Sequence, residues 1–467
     1  MSRPPTRPQD PDARTTWDDD ASLAGPARTV ADDALRAVRD GGPARTARRV
    51  ADHVDALGAR FGGPAAPPFV VDPVPRVIAA DAWTGLERGL LQRVRALDAF
   101  VADAHGPRHA VAEGIVPATL AEASGFLEPD LVGVPPTAAP RIGVAGLDVV
   151  RDHDGVFRVL EDNCRTPSGL AYAVAAREAV AAVLGCPDAV RPFADAVGPA
   201  LRTALLAARP AGDGAVVLLS DGAGNSARWE HETLARLMGV RLVGPDDLRR
   251  RGTRIELRDT GEAVGALYRR TDEERLRVAS GAPTVLGELL LPALRAGTVG
   301  LLNAFGTGVA DDKAVLPHVP DLVRFHLGEE PVLPDVPVHD LEDPAVRGAT
   351  LARAREIVLK PRDGHGGRGV VIGPRADPAE LAEAVAAARA APGAWIAQDL
   401  VRLSSHPTVV GDDVLPRHVD LRPFAVADGR GGWTLLPGGL TRVALAQGEL
   451  VVNSSRGGGG KDTWVLR

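Results

Sequence analysis

The chain has 467 residues, enough for roughly two to four domains, and its 45% apolar content is ample for more than one hydrophobic core. The formal charge of −7 and the isoelectric point of about 5.9 lack the basic bias of nucleic-acid-binding proteins. Two cysteines cannot build a disulfide framework or a four-cysteine zinc site. No apolar run approaches the roughly 18–20 residues that span a bilayer, and the N-terminus is rich in aspartate. We therefore expect a cytoplasmic protein with small-molecule partners, binding neither nucleic acid nor membrane.

The N-terminal third is predicted to be mostly helical. Residues 1–30 are rich in Arg, Pro and Asp with little apolar periodicity, so we expect them to form a disordered arm. Apolar residues then recur at helical spacing over 30–57 and 83–104, which predicts amphipathic helices, and the proline-rich stretch 64–75 predicts an extended connector. A helical N-terminal region is thus expected over 31–135.

The remainder of the chain alternates predicted strands and helices. Residues 146–150 and 156–160 predict a hairpin that reverses at 152–155, followed by a helix over 172–184. Strand 215–219, helix 229–238 and strand 240–243 form an α/β unit typical of a parallel sheet. Beyond a second α/β stretch and a proline-rich boundary at 331–337, strands are predicted at 357–360, 395–400, 421–426 and 434–436, and a helix at 378–391.

Lysine is the rare charged residue of this sequence. Lys313, Lys360 and Lys461 are its only lysines, so 51 of the 54 basic residues are arginine. An ammonium is a compact charge with three donors, whereas a guanidinium is a planar fork, so a phosphate pocket shaped for lysine does not accept arginine freely. The three lysines are therefore candidates for phosphate contacts, with chance survival as the alternative.

Three polar residues of the predicted hairpin form a candidate metal site. Asp148 and Glu161 fall on the paired strands, and Asn163 lies two residues after Glu161, on the same face. Three oxygen ligands on one face suit Mg²⁺, which binds carboxylates together with substrate phosphate oxygens. The alternative is a polar hairpin with an asparagine in its turn.

A glycine-rich turn follows Lys360 at the end of a predicted strand. Its glycines are Gly364, Gly366, Gly367 and Gly369. Together with the Lys360 ammonium, their backbone N–H groups can surround a polyphosphate, although the turn has no Walker sequence. A plain mobile hairpin is the alternative. The other two lysines also stand beside glycine turns, at 306–308 and 457–460.

A dinucleotide-binding fingerprint is present as a rival signal. Gly222, Gly224 and Ala227 follow a strand and open a helix, with Asp246 and Asp247 about 20 residues on. This spacing favours a nicotinamide-dependent oxidoreductase. It leaves the lysines and the carboxylate cluster without a role.

The combination of motifs resembles the ATP-grasp ligases. In that superfamily an Asp and a Glu-x-Asn set hold Mg²⁺, lysines hold phosphates, a glycine-rich loop closes over ATP, and a hinge binds adenine. The matching positions here are Asp148, Glu161 and Asn163 for the metal, Asp312-Lys313 and Lys360 with 364–369 for the phosphates, and Gln398 at the hinge. The metal set precedes the lysine loop by about 200 residues, the reverse of the ordinary order. This inversion resembles the circularly permuted ATP-grasp family and, more distantly, the synthetase part of glutathionylspermidine synthases.

The resemblance implies a mixed α/β protein, a circularly permuted ATP-grasp fold with a pre-ATP-grasp α/β domain inserted between its two halves. It implies a metal-binding part at 136–205, the inserted domain at 206–330 and a nucleotide-binding part at 331–467. Gly146-Leu147 replaces the arginine that usually precedes the metal aspartate, so the oxyanion donor must lie elsewhere. The candidate catalytic residues are Arg165, Arg422, Arg442 and Lys461, and the candidate substrate-binding residues are Asn225, Glu230, His231 and Arg269.

The function implied is ATP- and Mg²⁺-dependent ligation of a carboxylate to an amine. The carboxylate, small-molecule or peptide, would be activated as an acyl phosphate, with release of ADP and phosphate. Two alternatives stay open, namely the oxidoreductase and a non-catalytic nucleotide-binding partner protein.

Overall fold

A computed structural model of the chain describes residues 18–63, 65–123, 126–132, 139–210, 214–222, 224–272, 275–278, 280–362, 369–446, 449, 452 and 458–467. Its helices are α1 (Gly25–Asp40), α2 (Pro43–Ala56), α3 (Ala80–Ala104), α4 (His109–Ala112), α5 (Ala118–Ala123), α6 (Leu170–Leu184), α7 (Ala194–Ala207), α8 (Arg228–Met238), α9 (Val285–Arg295), α10 (Gly308–Asp311), α11 (Val319–Leu327), α12 (Pro344–Ala352) and α13 (Pro378–Ala390). Within the described residues, none of these helices is both long and apolar enough to cross a bilayer.

The strands build three main sheets and one separate hairpin. They are β1 (Val71–Ile78), β2 (Val144–Arg151), β3 (Phe157–Asn163), β4 (Ala215–Ser220), β5 (Arg241–Val243), β6 (Leu248–Arg251), β7 (Arg254–Leu257), β8 (Val264–Arg270), β9 (Gly300–Leu302), β10 (Val338–Asp340), β11 (Ile357–Pro361), β12 (Val371–Ile372), β13 (Trp395–Asp399), β14 (Ser405–Val410), β15 (Asp413–Ala427), β16 (Trp433–Val443) and β17 (Gly459–Val465).

The largest sheet unites strands from both ends of the chain. Its order is β1-β17-β16-β15-β2-β3, with β14 also paired to β15. Only the β1–β17 pair among these described strands is parallel. The sheet separates two large apolar clusters, one formed with α6 and α7 and the other with α3. The hairpin predicted from the sequence, β2 and β3, is therefore an edge of this sheet.

The segment between the two halves carries a parallel sheet. Its order is β5-β4-β8-β9, and all three pairings are parallel. Helix α8 connects β4 to β5, as expected for an α/β crossover. The third sheet, β10-β13-β11-β12, is antiparallel and has its own apolar core with α12 and α13. It positions Lys360 and Gln398 on adjacent strands.

The N-terminal region differs from the sequence prediction in three places. Helix α1 begins at Gly25, and Asp19 is buried, so residues 18–30 are ordered where a disordered arm was expected; residues 1–17 lie outside the described part. The periodicity over 30–57 is divided between α1 and α2, because Gly42 adopts a positive φ of 79° immediately before Pro43. The proline-rich connector and the helical region overlap β1, whose prolines fall at a break in its pairing with β17.

Candidate active site

Asp148 is held in the sheet by two arginines. It lies on β2 and is 2% exposed. Its Oδ1 accepts a hydrogen bond of 2.5 Å from Arg422 Nε, and its Oδ2 accepts one of 2.7 Å from Arg442 Nη2. Burial by itself would raise the pKa of Asp148, but the two guanidinium groups lower it to about 2. The carboxylate is therefore ionised at neutral pH.

Glu161 faces Asp148 from the adjacent strand. The two residues are direct cross-strand partners in the antiparallel β2–β3 ladder, which places their side chains on one face. Lys313 Nζ lies 3.1 Å from Glu161 Oε1. Burial by itself would raise the pKa of Glu161, but the charges of Lys313, Lys360 and Arg422 together lower it. The predicted pair of carboxylates is thus brought together by the register of the hairpin.

Asn163 completes the predicted ligand set at the end of β3. Its Nδ2 is buried and has no hydrogen-bond partner among the described residues. Carboxylate and amide oxygens are ligands that Mg²⁺ prefers, and Asp148, Glu161 and Asn163 supply three such groups from two paired strands. The residues therefore fit a magnesium site, because their side chains offer three sets of oxygen atoms at the β2–β3 edge.

Lys360 reaches the same region from the third sheet. It is 9% exposed, and its Nζ donates a 2.5 Å hydrogen bond to Oε1 of the buried Gln398. Gln398 in turn donates to the backbone carbonyl of Leu160 at 3.3 Å, next to Glu161. Burial lowers the pKa of Lys360 to about 8, opposed by the charge of Glu161. Lys360 and Glu161, which are 199 positions apart in the chain, therefore belong to one electrostatic cluster.

Asp420 is a member of this cluster that the sequence argument did not single out as a site residue. It is fully buried on β15, and both of its carboxylate oxygens accept from Arg442 Nε, at 2.9 and 3.1 Å. Arg422 lies two residues further along the same strand, hence on the same face. The alternation of Asp420 and Arg422 along the predicted strand is the sequence pattern that could have indicated Asp420 as a site residue. Asp420 and Asp148 together fix the guanidinium of Arg442.

The cluster as a whole carries an excess of positive charge. Its cations are Arg422, Arg442, Lys313 and Lys360, and its carboxylates are Asp148, Glu161 and Asp420. A net positive charge in a region partly shielded from water favours the binding of a polyanion such as a polyphosphate. The four basic side chains come from β15, β16, the turn after α10, and β11.

Arg165 lies at the border of the cluster and is already engaged. Its Nε donates to Asp311 Oδ2 at 2.9 Å, and its guanidinium stacks over the Phe126 ring at 4.3 Å. The neighbouring Asp312 is bound by Arg362 at 2.7 Å and caps the turn that begins with Lys313. These two aspartates fix the loop that presents Lys313.

The glycine-rich turn is only partly within the described residues. Gly364, Gly366 and Gly367 lie outside them, so their predicted contact with phosphate stays a prediction. Gly369 is described and has a φ of 73°, and a Cβ at this position would lie 2.7 Å from Pro361 Cγ. Glycine is therefore required there by both backbone conformation and close packing.

Lys461 is not brought to this cluster. Thr441 is its cross-strand partner, whereas Arg442 pairs with Gly460, so Lys461 and Arg442 point to opposite faces of the sheet. Lys461 is fully buried, forms an ion pair with Asp72 and donates to the Pro407 carbonyl at 2.9 Å. Its contacts tie together β1, β14 and β17. The structure thus favours a structural role over the predicted catalytic one.

Two of the predicted substrate residues form buried contacts within the protein. Glu230 is fully buried, and its Oε1 accepts from the backbone N–H of Gly169 at 2.8 Å and of Ala171 at 3.2 Å, at the start of α6. Its other oxygen pairs with Arg270 at 3.3 Å. His231 contacts Ser220 Oγ at 2.8 Å, and burial lowers the pKa of His231 to about 2, so the ring is neutral. Direct substrate contact by these residues stays a prediction.

Arg269 and Asn225 are also committed to the backbone. Arg269 is fully buried and donates to the carbonyls of Asn303, Thr271 and Ala304 at 2.7–2.9 Å. The Asn225 side chain accepts from the Ala227 N–H at 2.8 Å, next to the start of α8. Both residues lie near the carboxyl ends of strands of the parallel sheet, Arg269 on β8 and Asn225 after β4.

Comparisons with known proteins agree with this architecture. A family model described as circularly permuted ATP-grasp type 2 matches residues 75–444. An uncharacterised protein of Mycobacterium tuberculosis is 46% identical over 411 residues, covering 85% of this chain and 74% of the relative. A Frankia casuarinae protein provisionally named glutamate–cysteine ligase is 48% identical over 416 residues, covering 87% of this chain and 48% of the relative, so this chain spans about half of that protein.

A solved structure shares the overall fold. The glutathione synthetase-like effector from Globodera pallida superposes with a TM-score of 0.56 over 95% of this chain and 98% of the effector. The sequence identity is 12%, so this likeness concerns the fold alone.

Proposed function

Because this chain belongs to the circularly permuted ATP-grasp type 2 family, we propose that it is an ATP- and Mg²⁺-dependent ligase that joins a carboxylate to an amine through an acyl phosphate. The observation that carries this proposal is the convergence of Lys313 and Lys360 on the face that bears Asp148 and Glu161. These residues come from three separate parts of the chain. A phosphate site and a magnesium site in contact are what γ-phosphoryl transfer requires.

Each part of the cluster has a role in this reaction. Lys313 and Lys360 bind the ATP phosphates, and Gln398 lies beside them at the edge expected for the adenine hinge. Asp148, Glu161 and Asn163 would hold Mg²⁺, which, when bound, neutralises phosphate charge. Lys313 pairs with Glu161, and phosphate oxygens would compete with Glu161 for its flexible ammonium.

Arg422 and Arg442 fit the role of stabilising the oxyanion. Both are fixed by Asp148, and Arg442 also by Asp420, so their orientation is set before substrate binds. Preorganised donors of this kind lower the barrier because they need no reorganisation as charge develops. They replace the arginine that is missing at Gly146-Leu147.

The reaction consists of two displacements. A carboxylate oxygen of the first substrate attacks the γ-phosphorus, the bond to the β,γ-bridging oxygen breaks, and ADP leaves. The amine of the second substrate then attacks the acyl carbon, the carbon–oxygen bond to phosphate breaks, and the amine loses a proton as phosphate leaves. The protein contributes position and charge neutralisation to both steps.

The oxidoreductase alternative is disfavoured by one residue of the α/β unit. In a dinucleotide site the pyrophosphate lies at the N-terminus of the helix that follows the glycine turn. Glu230 occupies the first turn of α8, and its buried carboxylate is already bound to the start of α6 and to Arg270. A non-catalytic nucleotide-binding protein would hold ATP without turning it over.

The test is a screen for ADP release with Mg·ATP and amino acids, short peptides and polyamines. With a substrate identified, we expect ADP and phosphate as products, and AMP or pyrophosphate would refute γ-phosphoryl transfer. Without the amine, hydroxylamine should intercept the acyl phosphate as a hydroxamate. Oxygen isotope placed in the substrate carboxylate should appear in the released phosphate, and its absence would refute the intermediate. ATP binding without turnover in the complete screen favours the non-catalytic alternative.

A further inference from the structure

The carboxyl edge of the parallel sheet carries a polar group of residues that the reaction centre leaves unused. Ligands of open α/β sheets bind in the crevice outside the carboxyl ends of the strands. Here Asp221 directly follows β4, and Thr271 and Asp272 directly follow β8. The β4–β8 register sets Ser220 opposite Arg270, so Asp221 and Thr271 are neighbours across the roughly 4.8 Å spacing of adjacent strands.

Two buried acceptor atoms at this edge lack partners among the described residues. Thr271 is 1% exposed, and its Oγ1 has no hydrogen-bond partner within the described parts of the chain. The same holds for Asp221 Oδ1, while the other oxygen of Asp221 lies 3.4 Å from the largely exposed Arg275. Burying a polar atom without a partner is costly, so such atoms are rare in folded proteins. Two of them on neighbouring strand ends point to a group that the protein itself does not supply.

Asp272 connects this edge to the reaction centre. It is exposed, and its Oδ1 accepts a 3.1 Å hydrogen bond from Thr166 Oγ1. Thr166 is three residues from Asn163, a distance of at most about 10 Å along an extended chain. The carbonyl of Ser168, in the same loop, accepts from Arg422 at 2.9 Å. One short loop therefore separates the polar edge from the proposed phosphate and magnesium site.

We propose that Asp221 and Thr271 bind the ammonium group of a substrate. An ammonium has three N–H donors, and these residues offer a carboxylate and a hydroxyl as acceptors. Asp221 is half-buried and Thr271 is buried. The identity of the bound molecule as a ligase substrate rests on the proposed function.

This ammonium is an anchor and not the attacking amine. Carboxylates stabilise its protonated form, and a protonated amine has no lone pair for attack on an acyl phosphate. The reacting group must lie across the 165–169 loop, on the side of Arg422. The substrate class that fits is an amino acid or short peptide whose ammonium group is separate from its reacting group.

The experiment measures binding, so it does not depend on turnover. Calorimetry in the presence of Mg²⁺ and a non-hydrolysable ATP analogue uses a panel of L-amino acids and dipeptides, each in free and N-acetylated form. We expect binding of at least one free compound and at least tenfold weaker binding of its acetylated form. Asp221→Asn should weaken the free compound at least tenfold and leave any residual binding of the acetylated form unchanged.

Two further variants serve as checks. Thr271→Val, which is nearly isosteric, tests the same site if Asp221→Asn melts early. Asp246→Asn is the matched control, because Asp246 is an exposed aspartate that follows β5 in the same sheet, and its binding should equal wild type. Equal binding of free and acetylated compounds, unchanged binding in both Asp221→Asn and Thr271→Val, or no binding by any panel member overturns the inference.

The outcome is separable from that of the proposed function. AMP formation would refute the acyl-phosphate reaction even if Asp221→Asn abolished binding of an amino acid. Release of ADP and phosphate with an amino acid or peptide whose KM is the same in Asp221→Asn as in the wild type would overturn the ammonium site alone.

Discussion

Replacing Lys360 by arginine keeps the charge and is expected to remove most ATP turnover. Lys360 is 9% exposed, and its ammonium lies 2.5 Å from Oε1 of Gln398, which is itself 1% exposed. A guanidinium is larger and planar, so it cannot take the place of this ammonium without displacing Gln398 from the Leu160 carbonyl. Lys360→Arg therefore tests whether donor geometry, beyond charge, is required.

The size of the effect follows from the position of the ammonium. Removing one preorganised donor from a reacting group lowers the rate by roughly 100- to 1,000-fold, or ~2.7–4 kcal/mol. Overpacking a closed site costs ~1–3 kcal/mol of stability, less than the ~5–15 kcal/mol of a typical domain. Lys360→Arg should therefore fold. Lys360→Met removes the charge at similar volume, and its rate of ATP turnover should lie within about tenfold of that of Lys360→Arg.

The assay is ADP release at saturating carboxylate and amine, beside a thermal melt of each variant. Arg389→Lys, at an exposed position near the end of α13, serves as a charge-conserving control. Turnover of Lys360→Arg within tenfold of wild type, in a folded protein, would refute the argument from lysine geometry.

The pH dependence of kcat/KM for ATP is a second test of the role of Lys360. Burial lowers the pKa of Lys360 to about 8, and the protonated form is the one that binds phosphate. Since kcat/KM reports the free enzyme, kcat/KM for ATP should fall as the pH rises through about 8. Lys360→Arg stays protonated and should lack this limb. A wild-type profile that is flat up to pH 10 contradicts the assignment.

Three further substitutions separate chemistry from folding. Glu161→Ala should abolish Mg²⁺ activation of ADP release and keep the melting temperature within a few degrees. The small effect on stability is expected because the Glu161 carboxylate is partly exposed and is paired only with Lys313 among the described residues. Unchanged Mg²⁺ activation would contradict this. Asp148→Ala should melt at lower temperature than Glu161→Ala, because Arg422 loses its carboxylate partner and Arg442 keeps only Asp420, at a cost of ~3–5 kcal/mol. Equal melting temperatures would refute the difference. Glu230→Ala should destabilise strongly, since α6 loses its N-terminal acceptor and Arg270 its partner, whereas the exposed Glu232→Ala should not.

Local sequence patterns predicted part of the secondary structure and part of the site. The alternation on either side of residues 152–155 predicted the β2–β3 hairpin, and period-2 geometry placed Glu161 and Asn163 on one face, opposite Asp148. The scarcity of lysine pointed to Lys313 and Lys360 without any knowledge of the fold. The hairpin could be predicted because strand pairing across a short turn and side-chain alternation are set by short-range geometry.

Tertiary structure decided which charged residues act together. The same rarity that singled out Lys360 also singled out Lys461, and only the β16–β17 register shows that Lys461 points away from Arg442. Glu230 and Arg269 are charged residues of the kind that bind substrates, but in the fold they form hydrogen bonds with buried backbone groups. A charged side chain takes its role from the partner that compensates its desolvation, and that partner is often more than 100 residues away, beyond what any local pattern encodes.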